Sequence, residues 1–265
     1  MSERLRALLA GRGVPVGGVV EHHGRLASTS DRARELGRLG APEWSVVAAD
    51  EQWAGRGRSG HDWASPAGNL FVSVLLRPSL SPAGVTLLPL AAGTAVAEAV
   101  EEWGVRSTLK WPNDVLVGDR KLAGVLVEAT SLTSAIESAV VGIGVNVRLD
   151  PRGLGSPLAE RTASLLSETG SSVDPLEVGA AVLGRLALWY HALRDGRSAE
   201  VLDAWRARSV PWWGREVEVR SSGGFLRGRA EGIDDAGALL LTSAEGAPLR
   251  ILSGEVREAR LVPSR

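Results

Sequence analysis

Three segments decide the fold: Lys110-Trp111-Pro112-Asn113-Asp114, Lys121-Leu122-Ala123-Gly124-Val125-Leu126-Val127-Glu128 and Gly142-Ile143-Gly144-Val145-Asn146. The first sets an ammonium, an amide and a carboxylate at a strand end, beside a proline that restrains the backbone. The second begins on a lysine and then runs apolar to Glu128, which reads as a strand. Gly118-Asp119 is the hairpin turn that joins it to a strand over 114–117. The third is an apolar strand holding two glycines, which signals a bulge, a helix contact or close approach by a ligand. Singly, each lysine also reads as a surface residue in a strand-end salt bridge worth under about 1 kcal/mol.

Composition points at the same region. Of 265 residues 30 are basic, yet Lys110 and Lys121 are the only lysines. The side-chain amides Gln52, Asn69, Asn113 and Asn146 lie between 52 and 146 with them. In a chain so biased towards arginine, a surviving lysine marks a place where a compact ammonium is needed. A net charge of -1 excludes a protein whose whole surface binds nucleic acid or membrane. The absence of cysteine excludes disulfides, thiolate metal sites and cysteine nucleophiles. Four histidines (His22, His23, His61, His191) make a histidine-rich metal cage a poor expectation, and no metal ligands are assigned. With no signal-peptide pattern and no apolar run expected to cross a bilayer, the reading is a cytoplasmic protein.

Outward from the centre, the N-terminal side predicts a short helix over 1–13, a strand over 16–21 and a helix over 32–39. That helix starts at Ser28-Thr29-Ser30-Asp31, with Glu35 placed as a capping-box acid. Strands follow at 44–50 and 69–77, separated by a glycine- and arginine-rich loop. A long helix is predicted over 84–102, then strands over 105–110, 114–117, 121–130 and 139–147. Residues 148–162 read as loop, and 163–169, 175–194 and 198–208 as helices. From 215 to 262 short alternating segments predict a small all-β barrel of about five strands. The expected organisation is a short segment 1–20, a main domain 21–211 and a small β domain 212–265.

Gly55-Arg56-Gly57-Arg58-Ser59-Gly60 matches G-x-G-x-x-G, but a dinucleotide site needs a helix directly after the glycines. Here a strand follows, so that reading is rejected. What remains is a loop offering N–H groups and two guanidinium forks to phosphate oxygens, or an exposed turn with solvated arginines.

In this order and spacing the segments resemble the biotin–protein ligases (biotin–[acetyl-CoA-carboxylase] ligases). The likeness is carried by Ser28-Thr29, Gln52 through Gly60 with Trp63, and the three segments quoted first. It implies an α+β fold: a mixed β-sheet with helices on one side, the class II synthetase-like biotin/lipoate ligase catalytic domain, plus a small C-terminal SH3-like β-barrel. The implied activity joins biotin and ATP into biotinyl-5′-adenylate, then transfers biotin to one lysine of a biotin carboxyl carrier domain. Ser28, Thr29 and Gln52 would face the ureido head, with Gly55 and Gly124 nearby. Arg56 and Arg58 would hold phosphate and carboxylate oxygens. Trp63 would stack on adenine, whose edge Asn113 and Asn146 would read. Lys121 would bridge the biotin carboxylate and the α-phosphate, Lys110 would assist, and Asp114 would orient or deprotonate the carrier lysine. Mg²⁺ would ride on ATP oxygens. Rival readings are a lipoate–protein ligase and a non-catalytic biotin-binding sensor. His61 replaces an expected arginine, and a segment one residue short leaves the role of Asn69 open. The repressor-type members carry a winged helix-turn-helix of about sixty residues ahead of the catalytic domain, so by the same resemblance DNA binding is not expected. The oligomeric state, monomer or homodimer, stays open.

Overall fold

The computed structural model describes residues 1–60, 62–132, 135–221 and 224–258. Its main sheet holds β1 (Val20–Leu26), β2 (Ser45–Gln52), β3 (Leu70–Leu76), β4 (Thr108–Lys110), β5 (Asp114–Val117), β6 (Arg120–Leu132) and β7 (Ala135–Val145). The spatial order is β1-β2-β3-β7-β6-β5-β4. β1 and β2 are parallel, and the other neighbours are antiparallel. The sheet is mixed, as expected. Its centre is buried on both faces because side chains alternate: Val46, Ala48, Val72 and Val74 join one core cluster, while Val47 and Leu75 join another.

The helices are α1 (Ser2–Gly11), α2 (Thr29–Arg38), α3 (Pro82–Thr86), α4 (Leu88–Val100), α5 (Leu165–Thr169), α6 (Pro175–Arg194) and α7 (Ser198–Arg208). Residues of α1, α4, α6 and α7 share the large cluster and form the expected helical layer. Close packing is set by small residues; an alanine Cβ at Gly179 of α6 would lie 2.8 Å from Leu70. Helix α2 alone covers the opposite face, through Ala33 and Leu36 against Val47, Leu75 and Val140. Ser28 caps it, accepting from the Asp31 N–H at 3.4 Å.

Several sequence expectations change; α2 starts at Thr29 rather than Arg32, and Glu35 pairs with Arg32 at 2.8 Å instead of capping the helix. The first strand lies at Val20–Leu26 rather than 16–21, because an edge strand buries little and Glu21, His22 and His23 carry no apolar alternation. The segment Gly84–Trp103 is long and apolar enough to span a membrane by length and composition. In this fold it breaks into α3 and α4, and α4 is the central helix of the core, with Leu88, Ala92, Ala95, Val96 and Ala99 fully buried.

The second sheet comprises β8 (Glu216–Ser221), β9 (Gly224–Ile233), β10 (Leu239–Thr242), β11 (Pro248–Ile251) and β12 (Glu255–Glu258), all antiparallel in the order β11-β10-β9-β8-β12. This is the five-stranded C-terminal β unit of the expected fold. Val217, Val219, Leu239 and Val256 belong to the same cluster as the main core, so the two sheets share one apolar core. The Trp111 indole N–H donates to Gly237 O at 2.9 Å, and Thr86 Oγ1 to Ala236 O at 2.8 Å. Gly237 has φ of 77° and leaves no room for a side chain against Leu87 and Leu90, each 3.0 Å from where Cβ would stand.

Candidate active site

A cavity of about 230 Å³ opens between α2, the ends of β5, β6 and β7, the loop after β2, and β12. One end is neutral and polar. Ser28, Thr29 and Ser30 reach it from the start of α2, and Gln52 from the end of β2. Gln52 Oε1 accepts from the Thr29 backbone N–H at 2.7 Å and from its hydroxyl at 3.1 Å, while Gln52 Nε2 donates to Ser65 Oγ at 3.1 Å. Gly55 does not line the cavity. A Cβ there would stand 2.6 Å from Trp63 O and closer still to Ser65 Oγ, so glycine makes room for this hydrogen-bonded group.

The middle is a narrow apolar slot of Phe71, Val125, Ile143 and the glycines of β6 and β7. Those glycines have a definite cause. A Cβ on Gly142 would lie 2.5 Å from Ser30 Oγ, and one on Gly144 would lie 2.7 Å from the Trp63 indole nitrogen. Trp63 therefore rests on bare backbone, and a Cβ on Gly124 would touch it at 3.0 Å. Its buried Nε1 has no hydrogen-bond partner.

The other end is charged. Lys121 Nζ lies 2.6 Å from Asp114 Oδ1 and 4.9 Å from the centroid of the Trp63 ring. Its backbone is braced twice, with Lys121 O accepting from Ala163 N at 2.9 Å and Asn146 Nδ2 at 3.2 Å. Arg58 Nη1 donates to Asn113 Oδ1 at 3.4 Å, in the turn before β5, and to Gly254 O at 3.2 Å, just before β12. Burial pushes its pKa down from the usual arginine value, partly offset by Asp114. A cation so desolvated favours an arriving anion. Arg56 pairs with Asp31 at 2.8 Å and Glu128 at 3.3 Å, and Arg34 binds the same two carboxylates. Lys110, opposite Asp114 in register, lies with Nζ 5.4 Å from the Trp212 ring centroid.

Thus Ser28, Thr29, Gln52, Arg56, Arg58, Trp63, Lys110, Asn113, Asp114, Lys121 and Gly124 share one cavity, and Gly55 and Asn146 stand behind it. The Asn146 amide is buried and donates to Lys121 O and Ala163 O. Asn69, whose role the sequence left open, accepts from Val147 N at 2.8 Å and Leu149 N at 3.2 Å, holding the chain as it leaves β7. His61 lies outside the described residues. Among the described residues, no three His, Cys, Asp or Glu side chains converge as a metal site.

Comparison with known proteins assigns the chain to a family. Residues 25–146 match the Biotin/lipoate A/B protein ligase family, and 213–257 match the Biotin protein ligase C terminal domain. The chain is 36% identical to the biotin--[acetyl-CoA-carboxylase] ligase of Paracoccus denitrificans, over 84% of this chain and 93% of that one. It belongs to the biotin protein ligase family. It is also 34% identical to the bifunctional ligase/repressor BirA of Bacillus subtilis, over 85% of this chain and 70% of the relative. The biotin protein ligase of Aquifex aeolicus, solved with biotin and ATP, superposes with a TM-score of 0.77 at 30% identity, covering 90% of this chain and 98% of that one.

Several residues of the cavity wall carry no functional signal in the sequence. Phe71 belongs to no motif, and Ser30 enters the sequence reading only as part of a helix start. Gly254, Glu255 and Val256 line the cavity from the second sheet, and only the packing of the two sheets brings them there. Ser73 left one usable trace, a lone hydroxyl in the apolar run Leu70–Leu76.

Proposed function

We propose that this cavity activates biotin with ATP and then passes the biotinyl group to a lysine of a biotin carboxyl carrier domain. One observation carries the reading: a neutral hydrogen-bonding head, an apolar slot and a cationic end follow one another in a single cavity. That order suits an acid with a polar ring, an alkyl chain and a terminal carboxylate. The Aquifex aeolicus relative solved with biotin and ATP supports it.

In the first step a carboxylate oxygen attacks the α-phosphorus of ATP and pyrophosphate leaves. Lys121 meets both anions, since a small ammonium can face two oxygens at one point. Arg58, Arg56 and Lys110 offset the remaining charge, with Trp63 and Asn113 beside the adenine. Asn146 serves this step through the Lys121 backbone that it holds. In the second step the carrier amine attacks the acyl carbon and AMP leaves. Asp114, released from Lys121 as the anions arrive, orients that amine or takes its proton. Mg²⁺ would be carried on the phosphate oxygens of ATP, where it would offset their charge. The same reading divides the chain into a catalytic unit, 21–211, and a C-terminal unit, 212–265, that closes one cavity wall. It places the reaction in the cytoplasm.

The test is ATP–pyrophosphate exchange with biotin or lipoate as the acid. Exchange with biotin is expected. Exchange with lipoate alone would turn the assignment to a lipoate ligase, and exchange with neither would leave a binding protein without catalysis.

A further inference from the structure

A chain of side-chain hydrogen bonds runs beneath the head of the cavity, and counting its protons gives it a direction. The Thr29 backbone N–H only donates, so the Gln52 atom facing it at 2.7 Å is the carbonyl oxygen. Gln52 Nε2 therefore faces Ser65, whose own proton goes to Trp63 O at 2.8 Å. The Thr29 hydroxyl donates to Gln52 Oε1 at 3.1 Å. With that proton committed, Ser73 Oγ donates to Thr29 Oγ1 at 2.8 Å. The 3.0 Å contact between Ser30 and Ser73 then requires Ser30 to be the donor. Every hydroxyl proton in the run points away from Ser30, and Ser30 lines the cavity.

We propose that Ser73 is a positioning residue that makes the head of the cavity a reader of N–H donors, with Ser30 as the hydroxyl through which the reading reaches the ligand. The inference rests on the biotin reading above and deepens it. Ser73 is fully buried on β3 and does not line the cavity, so its effect passes through Ser30 and Thr29. A buried hydroxyl among apolar neighbours is costly unless bonded, and Ser73 is bonded on both sides. Gly142 is part of the same device. A Cβ there would stand 2.5 Å from Ser30 Oγ and 3.4 Å from Ser73 Oγ, and would push the two hydroxyls apart.

The arrangement leaves oxygen lone pairs towards the cavity and asks the ligand for N–H groups. The second Gln52 Nε2 proton and the Ser28 hydroxyl proton supply donors for a carbonyl. A cyclic urea carries both complements, two N–H groups and one C=O, whereas a dithiolane carries neither. Without Ser73 the Ser30 hydroxyl loses its acceptor and is free to rotate, while Thr29 keeps its bond to Gln52, so the acceptor face is lost at Ser30.

The test is pyrophosphate exchange by the full chain with biotin, dethiobiotin (a urea without the thioether ring) and octanoate (no urea), for wild type, Ser73→Ala and Ser30→Ala. In Ser73→Ala the KM for both ureas is expected to rise about 10–100-fold, with the KM for ATP and the residual exchange with octanoate unchanged. Ser30→Ala, at the cavity end of the run, should raise the KM for both ureas in the same direction and reads the relay even if Ser73→Ala folds poorly. Equal loss with all three acids, or unmoved urea KM values in both variants, would overturn the assignment. A wild type that exchanges with neither urea would overturn the biotin reading and the relay with it, an outcome distinct from an active wild type with silent variants.

Discussion

At the head of the cavity Thr29, Gln52, Ser65, Ser73 and Ser30 satisfy one another through neutral hydrogen bonds, whereas at the far end the cations are held by groups that an anion would displace. Lys121 sits on Asp114, Arg56 on Asp31 and Glu128, and Arg58 on Asn113 and the carbonyl of Gly254. The head is organised before any ligand arrives and gains bonds without losing any. The charged end has to exchange partners, so part of what phosphate and carboxylate contribute there offsets the pairs they replace. On the proposed reading, specificity for the acid lies with the neutral head and the chemistry with the charged end.

Four substitutions can break or sharpen this contrast. The largest effect is expected from Lys121→Arg. A planar fork cannot take the place of an ammonium between two anions, so pyrophosphate exchange should fall about 10²–10³-fold. Biotin binding by calorimetry should change far less; near-normal exchange would remove the chemistry from the charged end. Gly55→Ala comes next, because the new Cβ meets the backbone oxygen of Trp63 at 2.6 Å, which cannot yield as a side chain would. Biotin affinity should drop about tenfold or more while ATP affinity holds better. An unchanged biotin affinity would show that the head is not rigid. Arg58→Ala should raise the KM for ATP about tenfold and the KM for biotin less; the reverse order would reassign the loop to the acid. The smallest change, and a gain, is expected from Glu128→Gln. Freeing Arg56 and Arg34 from a competing carboxylate should tighten ATP about two- to fivefold at low salt, and the gain should fade as salt rises. A loss instead would mean that Glu128 holds the loop in place rather than competing with phosphate.

Much of the framework was legible because interior strands and the core helices carry strong periodicity. Ser45–Gln52, Leu70–Leu76 and Pro175–Arg194 fall within a residue or two of their expected places. Val20–Leu26 was misplaced because an edge strand needs no apolar alternation. The long helix was read as one piece although Leu87 interrupts it, since its apolar face continues across the break. Asn146 shows a different limit. A buried amide in a glycine-rich strand looks the same in sequence whether it faces a ligand or, as here, the carbonyls of Lys121 and Ala163.

The sequence by itself determined which groups stand near one another along the chain. The two lysines, Asp114, the Gly55–Gly60 loop and Ser28-Thr29 are local clusters whose chemistry follows from side-chain type. Tertiary structure alone decided what depends on convergence from distant positions. The wall at Gly254–Val256, the bond from Arg58 to Gly254 O, and the direction of the hydroxyl run through Ser73 are of this kind. The reason is physical. A hydrogen bond acts only over a narrow range of distance and angle, so partners far apart in sequence acquire a donor and an acceptor role only when the packed core holds them in register.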